Sequence, residues 1–483
     1  MTRLRDMVMF RFKSNRVFVA SIIIVCAGCF LLNQKHIANH GMLKYYQAFA
    51  DYIASGFSAV PSVPTFPMWG YGWVWWLTSG FVPTMLMLQF IFCLLTTWLF
   101  VRFVEKSFPN RRLKWLRLIV VCSIPWYMYH SVLQPNVIAA DLWVLAIILF
   151  LGMSSPWSIA LSGVCAGLAL NFRSDFILLP LILASIWWWG GRHRRFEQLV
   201  PVSIRRRLSF RSLIGWVAII ALMLAPWSYH YWRTTSELSV TSSNGGHVLF
   251  IGLGQLPGNP WGRLCSDADP QMAAILTESL GADTVHSCSP AANRVLRRAF
   301  IHDVQRYPLG YLKRSLYTFV YGILGGFYQG EILQFIPKDR RIAADEYKST
   351  LLASLGINDE ANVPPVTMPL LDQFLVICQL GLSIYSRIML LLGIASTITL
   401  LFMLRRRGGN LLITTAIAIV VYQHSICVLI YANPMYFSGS YMFYVVCFTA
   451  LLCCTEHRQT LRNKSDHRDD YSRGHGRKQI ARR

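Results

Sequence analysis

Few groups in this chain could do chemistry beside hydrocarbon, and they lie far apart. Two carboxylates, Asp51 and Asp141, fall next to long apolar runs. A carboxylate there can accept a proton, and ionisable groups bordering hydrocarbon are usually functional. Arg173 and Asp175 stand close together in LALNFRSDFILLP, and Arg387 is the one charge inside the apolar run 386–404. Guanidinium groups suit anionic oxygens. Plainer readings stand beside these. Asp51 also reads as a solvated residue on an amphipathic helix, and Asp141 as an acid favoured by the dipole of a helix start. Arg173 and Asp175 read equally as an ion pair. Arg387, and the Lys313–Arg314 pair with Tyr311, read as anchors that snorkel to the membrane surface.

The elements that must position these groups centre on residues 35–80. From Gly41 to Ser55 the spacing predicts an amphipathic helix, with Leu43, Tyr46, Phe49, Ala50 and Ile53 on one side. Lys44 and Asp51 lie off that stripe. Pro61, Pro64 and Pro67 end the helix. Trp69, Tyr71, Trp73, Trp75 and Trp76 follow, a density that suits the membrane–water boundary.

Of the 483 residues, 54% are hydrophobic and 14% charged, which is far from a soluble domain. A span needs about 20 apolar residues. Candidate spans are 16–34, 81–101, 118–133, 136–153, 156–171, 176–189, 213–230, 386–404, 411–431 and 439–454. The fold expected is therefore all-α and polytopic, with about ten transmembrane helices. Segments 1–16, 102–117, 190–212, 405–410 and 455–483 hold 30 of the 46 Lys/Arg and 7 of the 23 acids, so the whole net charge of +23 lies in them. That places them together in the cytosol by the positive-inside rule and argues against nucleic acid as a partner. The basic tail 455–483 is expected to be disordered and to meet membrane lipids.

Residues 1–230 form a first membrane module, with the loop 35–80 on its outer side. Residues 386–454 supply the closing helices. Between them, 231–385 reads as an outer loop domain of mixed α/β type, with strand and turns in TSSNGGHVLFIGLGQLPGNPWG and helices at 270–280 and 290–307. Residues 309–336 read as a helix pair lying on the membrane surface, because another crossing would move Arg405, Arg406 and Arg407 outside. Of twelve cysteines, Cys265 and Cys288 alone fall in a long polar stretch, and in an oxidising compartment they would form a disulfide. No Cys/His spacing suggests zinc.

The layout resembles the GT-C membrane glycosyltransferases, most of all the bacterial members related to protein mannosyltransferases and the lipid A aminoarabinose transferase. Tyr46, Ala50, Ile53 and Gly56 match the pattern of their first outer loop, and PTFPMWGYGWVWW their proline-then-aromatic surface helix. QPNVIAADLW places Asp141 where relatives carry a second Asp, and LALNFRSDFILLP places Arg173 at their basic residue. HDVQRYPLGYLKR and ANPMYFSGSYMFYVV match later landmarks, with Tyr436 kept from an Arg-Tyr pair. The acid that usually precedes the first-loop Tyr is missing from ANHGMLKYY.

The resemblance implies transfer of a sugar from a polyprenyl-phosphate donor to a hydroxyl acceptor (glycan, lipid or protein) on the periplasmic side of a bacterial inner membrane. Asp51 and Asp141 are then the candidate general bases, converging on one groove. Arg173, Asp175 and Arg387 become candidate phosphate contacts, and either these cations or a divalent metal steadies the leaving group. Tyr46, Trp69, Tyr71 and His247, the last in the Gly245–Gly246–His247 turn, are candidate substrate contacts. A lipid-linked polysaccharide polymerase or ligase, and a non-catalytic transporter or flippase, are the competing readings.

Overall fold

The computed structural model describes residues 2–33, 43–108, 114–152, 155–192, 209–281, 286–327, 330, 332–354, 368–407 and 411–452. The basic tail, the start of the first outer loop and most of the 364–369 linker lie outside them. The described residues form helices and short 3₁₀ turns, with no strand among them. In chain order the helices are α1 (Thr2–Leu32), α2 (Leu43–Ala54), α3 (Gly70–Leu77), α4 (Val82–Ser107), α5 (Lys114–Val121), α6 (Ile124–His130), α7 (Pro135–Gly152), α8 (Pro156–Phe172), α9 (Leu179–Arg192) and α10 (Phe210–Thr235). There follow α11 (Gly245–Leu253), α12 (Pro270–Leu280), α13 (Pro290–Arg306), α14 (Pro308–Gly325), α15 (Arg341–Ser354), α16 (Leu370–Arg407), α17 (Leu411–Leu429), α18 (Pro434–Ser438) and α19 (Tyr441–Leu452).

Among the described residues, six helices are long and apolar enough to cross a membrane: α1, α4, α7, α10, α16 and α17. Shorter apolar helices accompany them at 156–172, 174–189 and 441–452. The chain is thus a multi-pass membrane protein, and the departures from ten even spans have local causes. The run 118–133 is broken into α5 and α6 at Ser123, with Pro125 in the first turn of α6, where a missing N–H costs nothing. The helix of the run 386–404 starts much earlier, at Leu370. At 1.5 Å per residue α16 is about 57 Å long, against about 30 Å of hydrocarbon, so its first part stands outside.

Small residues bring the bundle together. In α8, Gly163 and Gly167 let α10 approach until a Cβ on Gly167 would lie 2.5 Å from Met223 Cβ. Ser162 Oγ donates to Ala146 O of α7 at 2.6 Å and accepts from Trp216 Nε1 at 3.0 Å, joining three helices. Trp187 stacks on Phe150 at 3.7 Å and donates to Thr415 Oγ1 at 3.0 Å, which fastens α9 to α17.

The loop domain between α10 and α16 is helical, which corrects the mixed α/β expectation. The run HVLFIGL is helix α11, not a strand. A short apolar run is ambiguous by pattern alone, and here His247, Phe250 and Ile251 share a buried helical face. Phe250 and Ile251 pack on Met272, Leu276, Ala292 and Leu296. Helices α12 and α13 fall where the sequence placed them because each has a capped start. Asp269 accepts from the backbone N–H of Gln271 and Met272, Ser289 from that of Ala292, and each is followed by Pro.

Helix α14 is inverted for a water-facing helix. Arg314, Ser315, Thr318 and Gly322 are buried, while Leu309, Leu312, Leu316, Val320 and Leu324 are exposed. An apolar outer face over a polar inner face fits a helix lying in the lipid boundary.

The glycine contact gives a direct test. Gly167→Ala should lower stability in detergent by about 1–3 kcal/mol, the usual cost of overpacking. Gly215→Ala, at a site with open space around its Cβ, should leave the melting temperature unchanged or slightly raised. Equal melting of both variants would contradict the α8–α10 packing.

Candidate active site

The segment 43–80 folds onto the bundle through its aromatics. Tyr46, Phe49, Ala50, Tyr52 and Ile53 form the buried side of α2. The glycines of WGYGW serve this packing. A Cβ on Gly72 would lie 2.5 Å from Phe49 Cβ, and one on Gly70 would lie 2.6 Å from Asn171 O. Trp69 donates from Nε1 to Asn171 Oδ1 at 2.9 Å and stacks on His230. Trp69, Tyr71 and Trp75 therefore point inward, while Trp76 and Leu77 keep the exposed position expected of boundary anchors.

Tyr46 lies 4.6 Å, centroid to centroid, from Tyr71 and is 1% exposed. Its buried hydroxyl has no hydrogen-bond partner, and burial pushes its pKa upward. Tyr71 donates to Gln89 Oε1, and Gln89 Nε2 donates to His130 O and Val132 O, both at 3.0 Å. His130 Nδ1–H donates to Trp126 O at 2.8 Å, so Nε2 faces Asp141 Oδ2 at 3.0 Å. With Nδ1 committed as a donor, imidazole and carboxylate share one proton across that contact. Asp141 is fully buried, with Thr96 as its polar neighbour beside His130.

Arg173 ends α8 in an extended conformation. Its Nε and Nη2 donate to Asp175 Oδ1 and Oδ2 at 2.8 and 2.6 Å, and its guanidinium lies 4.5 Å from the Tyr436 ring centroid. Tyr422 of α17 donates to Asp175 O. The ion-pair reading of Arg173 and Asp175 is correct as geometry, and both remain partly open, at 16% and 21% side-chain exposure. Next to Tyr436 stands Tyr431, 6.2 Å away ring to ring, and Cys265 of the loop domain lies against Tyr431.

The remaining sequence candidates lie elsewhere. Asp51 is exposed and accepts from Gln47 Nε2 at 2.8 Å. Five residues along a helix is about 140° round from Tyr46, so Asp51 projects away from the side of α2 that meets the bundle. Arg387 is exposed in the body of α16, beside Gly326. His247 is buried near the start of α11 and bonds through Nε2 to Asp267 Oδ1 at 2.9 Å; its Nδ1 has no partner. Among the described residues, no three His, Cys, Asp or Glu side chains converge to hold a metal ion.

The first loop and the loop domain are docked to each other. Cys288 N–H donates to His286 Nδ1 at 3.1 Å, so Nε2–H is free to donate to Tyr45 Oη at 2.7 Å. Ser243 N–H donates to Thr65 O at 2.9 Å, and the Ser243 and Thr65 hydroxyls meet at 2.7 Å. His230 Nε2–H donates to Pro64 O at 2.7 Å, and Tyr52 donates to its Nδ1. Sequence reasoning missed His130, Tyr45 and His286. The first carried a signal, a lone His at the end of an apolar run.

The expected Cys265–Cys288 disulfide is absent. Both are free thiols, with Cys265 exposed against Tyr431 and Cys288 buried beneath Ser243. Burial pushes the Cys288 thiol up to about 12. Maleimide treatment of the native protein should therefore modify Cys265 and spare Cys288 until unfolding, read by peptide mass mapping. Protection of both would restore the disulfide.

A second outcome follows from the buried pair. Asp141→Leu or His130→Leu alone strands a polar partner and should cost about 3–5 kcal/mol, while the double variant recovers most of it. Thermal unfolding in detergent reads the difference. Additive losses would mean that the two side chains do not interact.

Comparison with known proteins gives limited company. No protein-family model matches the chain, and no curated protein matches it. Among solved structures it is similar to the crystal structure of ArnT from Cupriavidus metallidurans bound to undecaprenyl phosphate, at 16% identity and a TM-score of 0.38, over 90% of this chain and 77% of that one.

Proposed function

We propose that this chain is a membrane glycosyltransferase that moves a sugar from a polyprenyl-phosphate donor to a hydroxyl acceptor at the outer membrane face. The observation that supports it most is the Arg173 assembly. A guanidinium, aligned by a bidentate carboxylate and covered by Tyr436, stands at the end of an apolar helix beside the loop domain. Two of its N–H donors go to Asp175, and the rest suit phosphate oxygens. Preorganised donors of this kind stabilise charge developing on a leaving phosphate.

In the proposed reaction the anomeric carbon–phosphate oxygen bond breaks and a bond to the acceptor oxygen forms. The acceptor proton passes to a carboxylate, and polyprenyl phosphate leaves. Of the two bases suggested by sequence, we favour Asp141. It is buried near the start of α7 with His130 Nε2 at 3.0 Å from Oδ2, and a carboxylate can accept a proton. His130 holds the carboxyl in place. Asp51 faces away from this cluster.

Mass spectrometry of surface glycolipids with and without the chain would name the sugar, after which purified variants can be assayed. Arg173→Ala should lower turnover by about a hundredfold, in the range for losing a preorganised oxyanion donor. Asp141→Asn should lower it comparably, and Asp51→Asn should stay within about twofold of wild type. Full activity in Arg173→Ala would end the phosphate assignment, and loss in Asp51→Asn alone would reverse the choice of base.

A further inference from the structure

Arg314 reads in sequence as a surface anchor, yet its side chain is turned inward and fully buried. Burial lowers its pKa to about 10, so it is still cationic at neutral pH. Its Nε donates to Gly252 O at 2.8 Å, in the last turn of α11. Its Nη1 donates to Val428 O at 2.8 Å and Leu429 O at 3.0 Å, and its Nη2 donates to Ile430 O and, at 2.9 Å, to Gln255 Oε1. These carbonyls lie in the last turns of α11 and α17 and just past α17, where a cation meets the negative end of the helix dipole. One guanidinium thus closes two helices from different parts of the chain.

The neighbours make the junction tight. A Cβ on Gly252 would lie 2.1 Å from Ile430 O, so no larger residue fits without movement. Gln255 continues the clamp, accepting from Ala432 N at 3.0 Å and donating to Ala432 O at 2.8 Å. Tyr311, one turn earlier on α14, donates to Leu429 O at 2.7 Å. The clamped turn carries Tyr431 and leads into Tyr436, whose ring lies over Arg173.

We propose that Arg314 is a positioning residue: by closing α11 and α17 together it fixes the turn 430–436, and with it Tyr436, over the Arg173 guanidinium. It touches no reacting atom. The consequence for phosphate binding rests on the function proposed above, whereas the clamp itself does not.

Both parts can be read on the full-length protein in nanodiscs, with undecaprenyl phosphate as the probe. In Arg314→Gln, amide exchange across 430–436 should rise about tenfold or more, as expected when a charged hydrogen-bond network is lost locally. Exchange in α7 and α8 should not change, and undecaprenyl phosphate affinity should fall about fivefold or more through the displaced Tyr436. Arg314→Lys should not rescue either readout, because an ammonium lacks the fork that reaches both helix ends. If Arg314→Gln does not fold, Gln255→Leu decides, with faster exchange at Ala432 expected. A folded variant with unchanged exchange at 430–436 overturns the proposal, as does full rescue by Lys. Arg173→Ala separates the two readings: unchanged lipid binding there removes the phosphate site while leaving the exchange result standing.

Discussion

A helix that stops at the edge of hydrocarbon leaves carbonyls that water cannot reliably reach, and each must find a donor on another element. That constraint holds together the end of the bundle that carries the segment 43–80. Gln89 of α4 supplies His130 O and Val132 O at the end of α6. Asn33, just past α1, donates to Met128 O at 3.3 Å. Tyr422 of α17 donates to Asp175 O in the short turn after α8. Arg314 does the same for two helices. Each donor comes from a different part of the chain, so satisfying the helix ends also fixes where the loops sit.

The same accounting explains why the aromatic loop is not a loose belt. Trp and Tyr carry one polar handle each, and when buried the handle needs a partner. Trp69 finds Asn171, Tyr71 finds Gln89 and Trp75 finds Gln47. With those bonds made, the apolar bodies fill the space between α2, α3 and α8, and Gly70 and Gly72 let the backbones close on them.

Much of this was legible where the cause is local. The stripe of α2, the helices at 270–280 and 290–307 and the Arg173–Asp175 pair each depend on residues within a few positions of one another. The failures share the opposite feature. HVLFIGL fits strand or helix until its partners on α12 and α13 are known. Arg314 looks like an anchor until the ends of α11 and α17 arrive beside it. Tyr436 reaches Arg173 from a distant part of the chain, and only the resemblance drew attention to it. Cys265 and Cys288 share a polar stretch of sequence, but they face different neighbours.

The Arg173–Asp175 pair also bears on how a lipid phosphate could leave after transfer. Under the glycosyl-transfer reading the donor is a phosphodiester with one negative charge, and the product is a monoester carrying close to two. A lone guanidinium at about 4 Å would favour the added charge by about 4 kcal/mol at an effective dielectric of about 20, enough to trap the product. A carboxylate on the far side of the same guanidinium, about 6 Å from the phosphate, opposes it by about 3 kcal/mol on the same terms. The surplus of about 1 kcal/mol is less than a tenfold preference. Under that reading Asp175 would cost some donor affinity, while it aligns the guanidinium and would keep the product exchangeable.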